Sequence, residues 1–224
     1  MKDSMEVMMD KDKILQETER MVKTVLIDEK SGHDWLHIKR VKETALEIAL
    51  KEGADPFVVT LAALLHDLAD EKIVESEDEA LVDIKNFLLK LGVDTLDIQH
   101  ILTTITTMSF KGGNSPPVET LEAQVVQDAD RLDAMGAIGI ARCFIYAGKV
   151  GSPIYDPQLE VRDQMSIEEY RNDKTSAIHH FYEKLLKLKD LMNTKTAKEL
   201  ATSRHEFMEM FLEQFYHETR ERRR

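Results

Sequence analysis

Cysteine, glycine and positive charge are all scarce in this chain, and each scarcity removes a class of protein. Cys143 is the single cysteine among 224 residues, so there is no intramolecular disulfide framework and no paired-cysteine zinc site. A reducing compartment is the natural expectation. With only nine glycines, the sequence contains no P-loop, no dinucleotide fingerprint and no Gly-x-Ser-x-Gly elbow. Covalent catalysis has no evident nucleophile. Lys and Arg total 30 against 42 Asp and Glu, a formal net charge of −12. That balance argues against stable nucleic-acid binding or a broad contact with an anionic membrane, both of which need summed positive charge. A small anionic ligand is not excluded, because it responds to a local cation more than to the distant total. No apolar run reaches the ~18 residues of a membrane span, and MKDSMEVMMDKDK has no signal-peptide core, so a cytoplasmic protein is expected.

What the sequence does contain is helical periodicity, with start signals at almost every boundary. Asp55-Pro56 offers an N-cap followed by proline at the first helical position, predicting a helix from Pro56 through the Leu61 to Leu65 stretch. Asp94 caps a helix carrying Ile98, Ile101, Leu102 and Ile105. Ser166 with Glu169, and Thr196 with Glu199, have capping-box spacing and are expected to open two long C-terminal helices. No period-two alternation is sustained. The expected fold is all-α, a single-domain helical bundle over residues 1–224, with residues 1–10 and 218–224 as frayed ends. Lys111 to Pro117 and Gly148 to Pro157 read as loops. The Arg220 to Arg224 tail reads as solvated.

One stretch needs an explanation. LAALLHDLADEK, Leu61 to Lys72, aims His66 and Asp67 at its own apolar surroundings, where an unpaired carboxylate would cost several kcal/mol. A metal ion is the economical partner, because it turns both groups into ligands. His37 is a third candidate, on a helix whose Leu36, Val41, Ala45 and Ile48 are expected to face inward. Asp130 is a fourth, following Val125 and Val126 and preceding a small-residue helix. Imidazoles and carboxylates suit a hard or borderline divalent ion such as Mn2+, Fe2+ or Mg2+.

The order His37, then His66-Asp67, then Asp130 within Ala129-Asp130-Arg131-Leu132, resembles the H…HD…D signature of the HD-domain metal-dependent phosphohydrolases. HDWLHIKRV, ALLHDLADEK, SFKG, DADRLDAMGAIGIAR and HHFYEKLLKLKDLMNT resemble, more narrowly, the small stand-alone bacterial branch of that superfamily. That branch includes nucleoside triphosphate pyrophosphohydrolases acting with manganese. The resemblance implies His37, His66, Asp67 and Asp130 as metal ligands around one ion, and a water made acidic enough to attack phosphorus. Resemblance to nucleotidase members of the superfamily suggests a catalytic acid or base at Asp70 beside Asp67, the alternative being a surface carboxylate paired with a nearby lysine.

Lys72 and Lys111 are the expected phosphate contacts, and Asp133, one turn after Asp130, an expected contact near the substrate. Each has a plain structural alternative, a solvated lysine or a capping carboxylate. Asp34 reads as an N-cap, Arg131 as a member of a structural ion pair, and Asp128 as pointing away from the site. His33 lies just before the first ligand on a loop or helix start. His100, His179 and His180 read as ordinary helix histidines rather than a second metal set, and Lys184 and Arg204 as solvated helix faces. Phe181, Leu185, Leu188, Phe207, Met208 and Phe211 have core spacing, and Cys143 reads as a buried small hydrophobe. The functional expectation is hydrolysis of a (deoxy)nucleoside triphosphate to monophosphate and pyrophosphate, by a possible homodimer. Its rivals are a nucleoside monophosphate phosphatase, a diiron oxygenase on the same scaffold and a non-catalytic nucleotide-binding module.

Overall fold

The computed structural model describes residues 2–29, 32–70, 74, 76–108, 118–162 and 175–220, with side chains from residue 10 onward. Lys72, Lys111 and the Ser166 capping box lie outside the described residues. Every regular element described is helical, and there is no strand among the described residues. The chain divides into two compact units, Met1–Ser109 with Pro116–Gln127, and Phe110–Ser115 with Asp128–Arg224.

The first unit is built from α1 (Lys2–Val25), α2 (Trp35–Glu52), α3 (Pro56–Leu65), α4 (Glu77–Lys90) and α5 (Thr95–Thr107), and it takes in the start of α6 (Leu121–Asp133). The first helix begins at Lys2, within the N-terminal segment. Three aspartates start helices as their positions predict. Asp34 accepts from the His37 amide, Asp55 from those of Phe57 and Val58, and Asp94 from that of Leu96, each satisfying a donor that the first turn leaves open. Gly53 ends α2 at φ +81°, a left-handed conformation that glycine adopts without cost.

α3 is the core element, with every residue from Phe57 to Leu65 buried. It packs against α1, α2 and α5, which is why its sequence is apolar on all sides rather than along one stripe. Side chains such as Leu61, Leu64 and Leu65, together with Ile38, Val41 and Ile48 of α2, are fully enclosed. Each contributes about 1.5–3 kcal/mol by leaving water. Leu36, expected to face inward, is 58% exposed. It occupies the first turn of α2, off the stripe defined by Ile38, Val41 and Ala45.

The second unit contains the end of α6, then α7 (Gly136–Val150), α8 (Ala177–Glu183), a 3-10 segment (Leu185–Leu191) and α9 (Lys195–Thr219). α7 and the 3-10 segment both pack on α9, around Phe181, Leu185, Leu188, Met208 and Leu212. Phe181 and Phe211 stack with centroids 5.6 Å apart, whereas Phe207 is 44% exposed, against its expected place in the core. α9 is capped by Thr194, whose hydroxyl accepts from the Ala197 amide, so the helix opens before Thr196 and that capping box is corrected. Gly148, expected in a loop, lies inside α7, and the turn comes at Gly151. Gly139 is needed at its position, since a Cβ there would stand 2.2 Å from the Ala134 carbonyl oxygen.

Candidate metal centre

His66 follows directly on α3, where the α-helix tightens into a 3-10 turn over His66–Ala69. The turn stays buried throughout, so the neighbouring side chains of His66 and Asp67 both remain in the interior of the first unit. His37 sits in the first turn of α2, fully buried, at the place where the Asp34 cap fixes the helix start.

Asp67 is the meeting point. Its Oδ2 lies 2.9 Å from His33 Nδ1 and 3.3 Å from His37 Nε2, while Oδ1 lies 3.2 Å from His66 Nε2. Burial pushes the Asp67 carboxyl up, but the neighbouring His66, the hydrogen bond from His33 and the adjacent His37 outweigh it and hold the group well below the usual carboxylate range. A buried aspartate that stays ionised is a carboxylate ready to bind a cation.

The tautomer of His66 carries the argument further. Its Nδ1 lies 2.8 Å from the Ala63 carbonyl oxygen, an acceptor only, so Nδ1 bears the hydrogen. In the neutral ring, Nε2 then presents a lone pair toward Asp67 Oδ1 at 3.2 Å. Two acceptors this close inside a protein require a positive charge between or upon them. The ligand atoms of His33, His37 and Asp67 all lie within 4.8 Å of one another. Donor type, ionisation and spacing therefore fit a divalent ion.

The other residues singled out in the sequence are placed as follows. Asp70 closes the 3-10 turn, half-buried, with its amide donating to the Asp67 carbonyl (3.1 Å). Asp130 is half-buried on α6, in the second unit. Asp133 is buried and receives an ion pair from Arg142 at 2.9 Å. Asp128 is a structural anchor, its carboxylate accepting from the amides of Asn193 and Thr194, the Asn193 side chain and the Thr194 hydroxyl, all at 2.8–2.9 Å. Arg131 donates to the Leu191 carbonyl. Arg204 is half-buried and donates to the Leu132 carbonyl, so it is not the solvated face expected of it.

His100 pairs with Glu122 at 3.2 Å, and His179 meets the Ser176 hydroxyl at 2.5 Å. Cys143 is half-buried rather than buried. A groove between α4 and α5, lined by Lys85, Leu89, Ile98, Gln99, Leu102 and Thr106 among others, carries neither histidine nor carboxylate. The residue that sequence reasoning underrated is His33. Its only signal is the spacing to His37, four residues on, which suggests a shared face but says nothing of Asp67.

The HD domain family matches residues 35–135. The chain belongs to the HD superfamily of metal-dependent phosphohydrolases. Several of its relatives are small stand-alone bacterial proteins. The uncharacterized protein YpgQ of Bacillus subtilis is 43% identical over 195 residues, 86% of this chain and 87% of YpgQ. A crystal structure of YpgQ in complex with ADP superposes with a TM-score of 0.76, at 39% identity, covering 93% of this chain and 96% of that one. A Lactobacillus plantarum protein gives a TM-score of 0.83 at 42% identity, with 92% and 96% covered. An HD-superfamily hydrolase of Bacillus thuringiensis gives 0.75 at 42% identity, with 95% and 100% covered. No described helix is long and apolar enough to cross a membrane.

Proposed function

We propose that this hydrolase acts on nucleotides, converting a (deoxy)nucleoside triphosphate to the monophosphate and pyrophosphate. The observation that carries the reading is the buried, ionised Asp67 among three imidazoles, a donor set suited to one divalent ion, with Mn2+ favoured. The ADP held by YpgQ supports a nucleotide as the ligand class.

In this reading His37, His66, Asp67 and Asp130 hold the ion. Asp130 is included on the H…HD…D order of the sequence. When bound, the ion supplies Lewis acidity toward a phosphate oxygen and makes a water more acidic. Asp70, just beyond the turn that carries the HD pair, takes the role of moving a proton from that water or to the leaving group. Lys72 and Lys111 take the phosphates, because a triphosphate carries more charge than one divalent ion offsets. Asp133 is the remaining substrate contact proposed, and its pair with Arg142 favours a structural part for it. The whole chain serves as one HD-type hydrolase domain, cytoplasmic, with a small-molecule substrate, no nucleic-acid or membrane partner, and an isologous dimer as its assembly.

The test is a panel of nucleoside mono-, di- and triphosphates with Mn2+, Fe2+, Mg2+, Co2+ and Ni2+, with products separated and identified. Pyrophosphate release from a triphosphate is expected. Inorganic phosphate from monophosphates would establish a nucleotidase instead, and absence of turnover with every ion would leave only nucleotide binding. Lys72→Met and Lys111→Met should raise KM or lower kcat by roughly ten- to a hundred-fold while metal content stays unchanged.

A further inference from the structure

We propose that His33 is the positioning residue of the metal centre, fixing the Asp67 carboxylate by a hydrogen bond from its Nδ1. The proposal rests on the reading of Asp67 as a ligand and adds a residue outside the H…HD…D set.

The placement of His33 follows from local structure. Asp34 adopts an extended backbone (φ −78°, ψ 173°) and its side chain accepts from the His37 amide at 2.9 Å. That cap ties the residue before it to the first turn of α2. His33 and His37 consequently face each other edge to face, with ring centroids 5.5 Å apart and planes at 82°.

His33 Nδ1 then lies 2.9 Å from Asp67 Oδ2, across 34 residues of sequence. An ionised carboxylate only accepts, so Nδ1 carries the hydrogen and donates it. This bond has a consequence for the ligand. The terminal torsion of aspartate is broad and, left to itself, lets the two oxygens exchange places. His37 and His66 touch the same carboxylate, but a nitrogen that is to bind a cation must keep its lone pair and cannot also donate to Asp67. His33 is the neighbour whose hydrogen remains available. It keeps Oδ2 toward α2 and Oδ1 toward His66, and its own side chain is 16% exposed against 4% for Asp67, at the rim of the buried group. Hydrogen-bond partners of this kind typically change metal affinity by 10–100-fold.

The experiment compares Mn2+ binding by calorimetry to metal-free wild type, His33→Ala, His33→Asn and Asp67→Ala, with urea unfolding of the metal-free proteins as a parallel readout. An asparagine amide reaches about where Nδ1 stands and donates without imidazole's lone pair. His33→Ala should weaken Mn2+ about 10–100-fold, while His33→Asn stays near wild type and the metal-free unfolding midpoints of the two variants agree. Three results overturn the proposal. The first is wild-type affinity in His33→Ala. The second is loss in Asn as severe as in Ala, which would make His33 a ligand. The third is an affinity loss that follows the unfolding midpoint alone. If Asp67→Ala itself binds Mn2+ as wild type does, the ligand assignment under the proposed function has failed. A normal His33→Ala beside a metal-free Asp67→Ala removes only the present inference.

Discussion

His37 Nε2 stands 3.3 Å from Asp67 Oδ2, although one residue belongs to the first turn of α2 and the other follows the end of α3. The packing of those two helices brings the groups together. Asp67→Ala should lose bound divalent metal and phosphohydrolase activity together while its far-ultraviolet circular dichroism keeps the helical signature. Metal analysis of the purified variant checks this. A metal content equal to wild type would take Asp67 out of the ligand set.

Asp128 should matter for stability rather than for chemistry. Its carboxylate accepts from two backbone amides and two side chains ahead of α9, and removing it leaves buried donors without an acceptor. Asp128→Ala is expected to cost about 3 kcal/mol in urea unfolding. A loss below about 1 kcal/mol would show that water replaces the carboxylate there.

How legible this was in the sequence depended on how local each determinant is. The starts of α2, α3 and α5 are set by Asp34, Asp55 and Asp94 acting on amides two or three residues away, and pattern alone finds them. The start of α9 is different. Thr194 and Thr196 are equally plausible caps in isolation, and what distinguishes Thr194 is its tertiary bond to Asp128. His66 and Asp67 were conspicuous because they break an apolar run. His33 breaks nothing in its own neighbourhood, and its partner is remote in sequence. Leu36 and Phe207 have apolar side chains on exposed helix faces, which periodicity cannot separate from core positions when a stripe is wide.

Acid should weaken the second unit through Glu183. Burial raises its carboxyl, but hydrogen bonds from Arg162 and Thr175 and the Arg162 charge outweigh this and hold it below the ordinary glutamate value of 4.5. A group depressed on folding stabilises fully above its unfolded pKa, and that contribution disappears as pH falls through the folded one. Wild type should therefore lose stability below about pH 4.5 by more than Glu183→Gln does. Unfolding midpoints measured at pH 7 and at pH 3.5 give the comparison; equal losses would mean that Glu183 is not a contributor.

Cys143 should be chemically quiet. Burial pushes its thiol up to about 12, so the thiolate that reacts with alkylating agents is scarce at neutral pH. Native protein at pH 8 is expected to resist iodoacetamide for hours, whereas urea-unfolded protein reacts within minutes. Mass spectrometry of the two samples decides, and rapid labelling of the native chain would place the thiol in an activating environment.

The burial of α3 from Phe57 to Leu65 has a kinetic meaning as well as an energetic one. Amides in an element enclosed on all sides exchange with solvent only when the surrounding unit opens as a whole, so those of α3 belong among the slowest to take up deuterium. His66 and Asp67 are attached to its end. Fraying of that helix would therefore not release a cation held by these two residues.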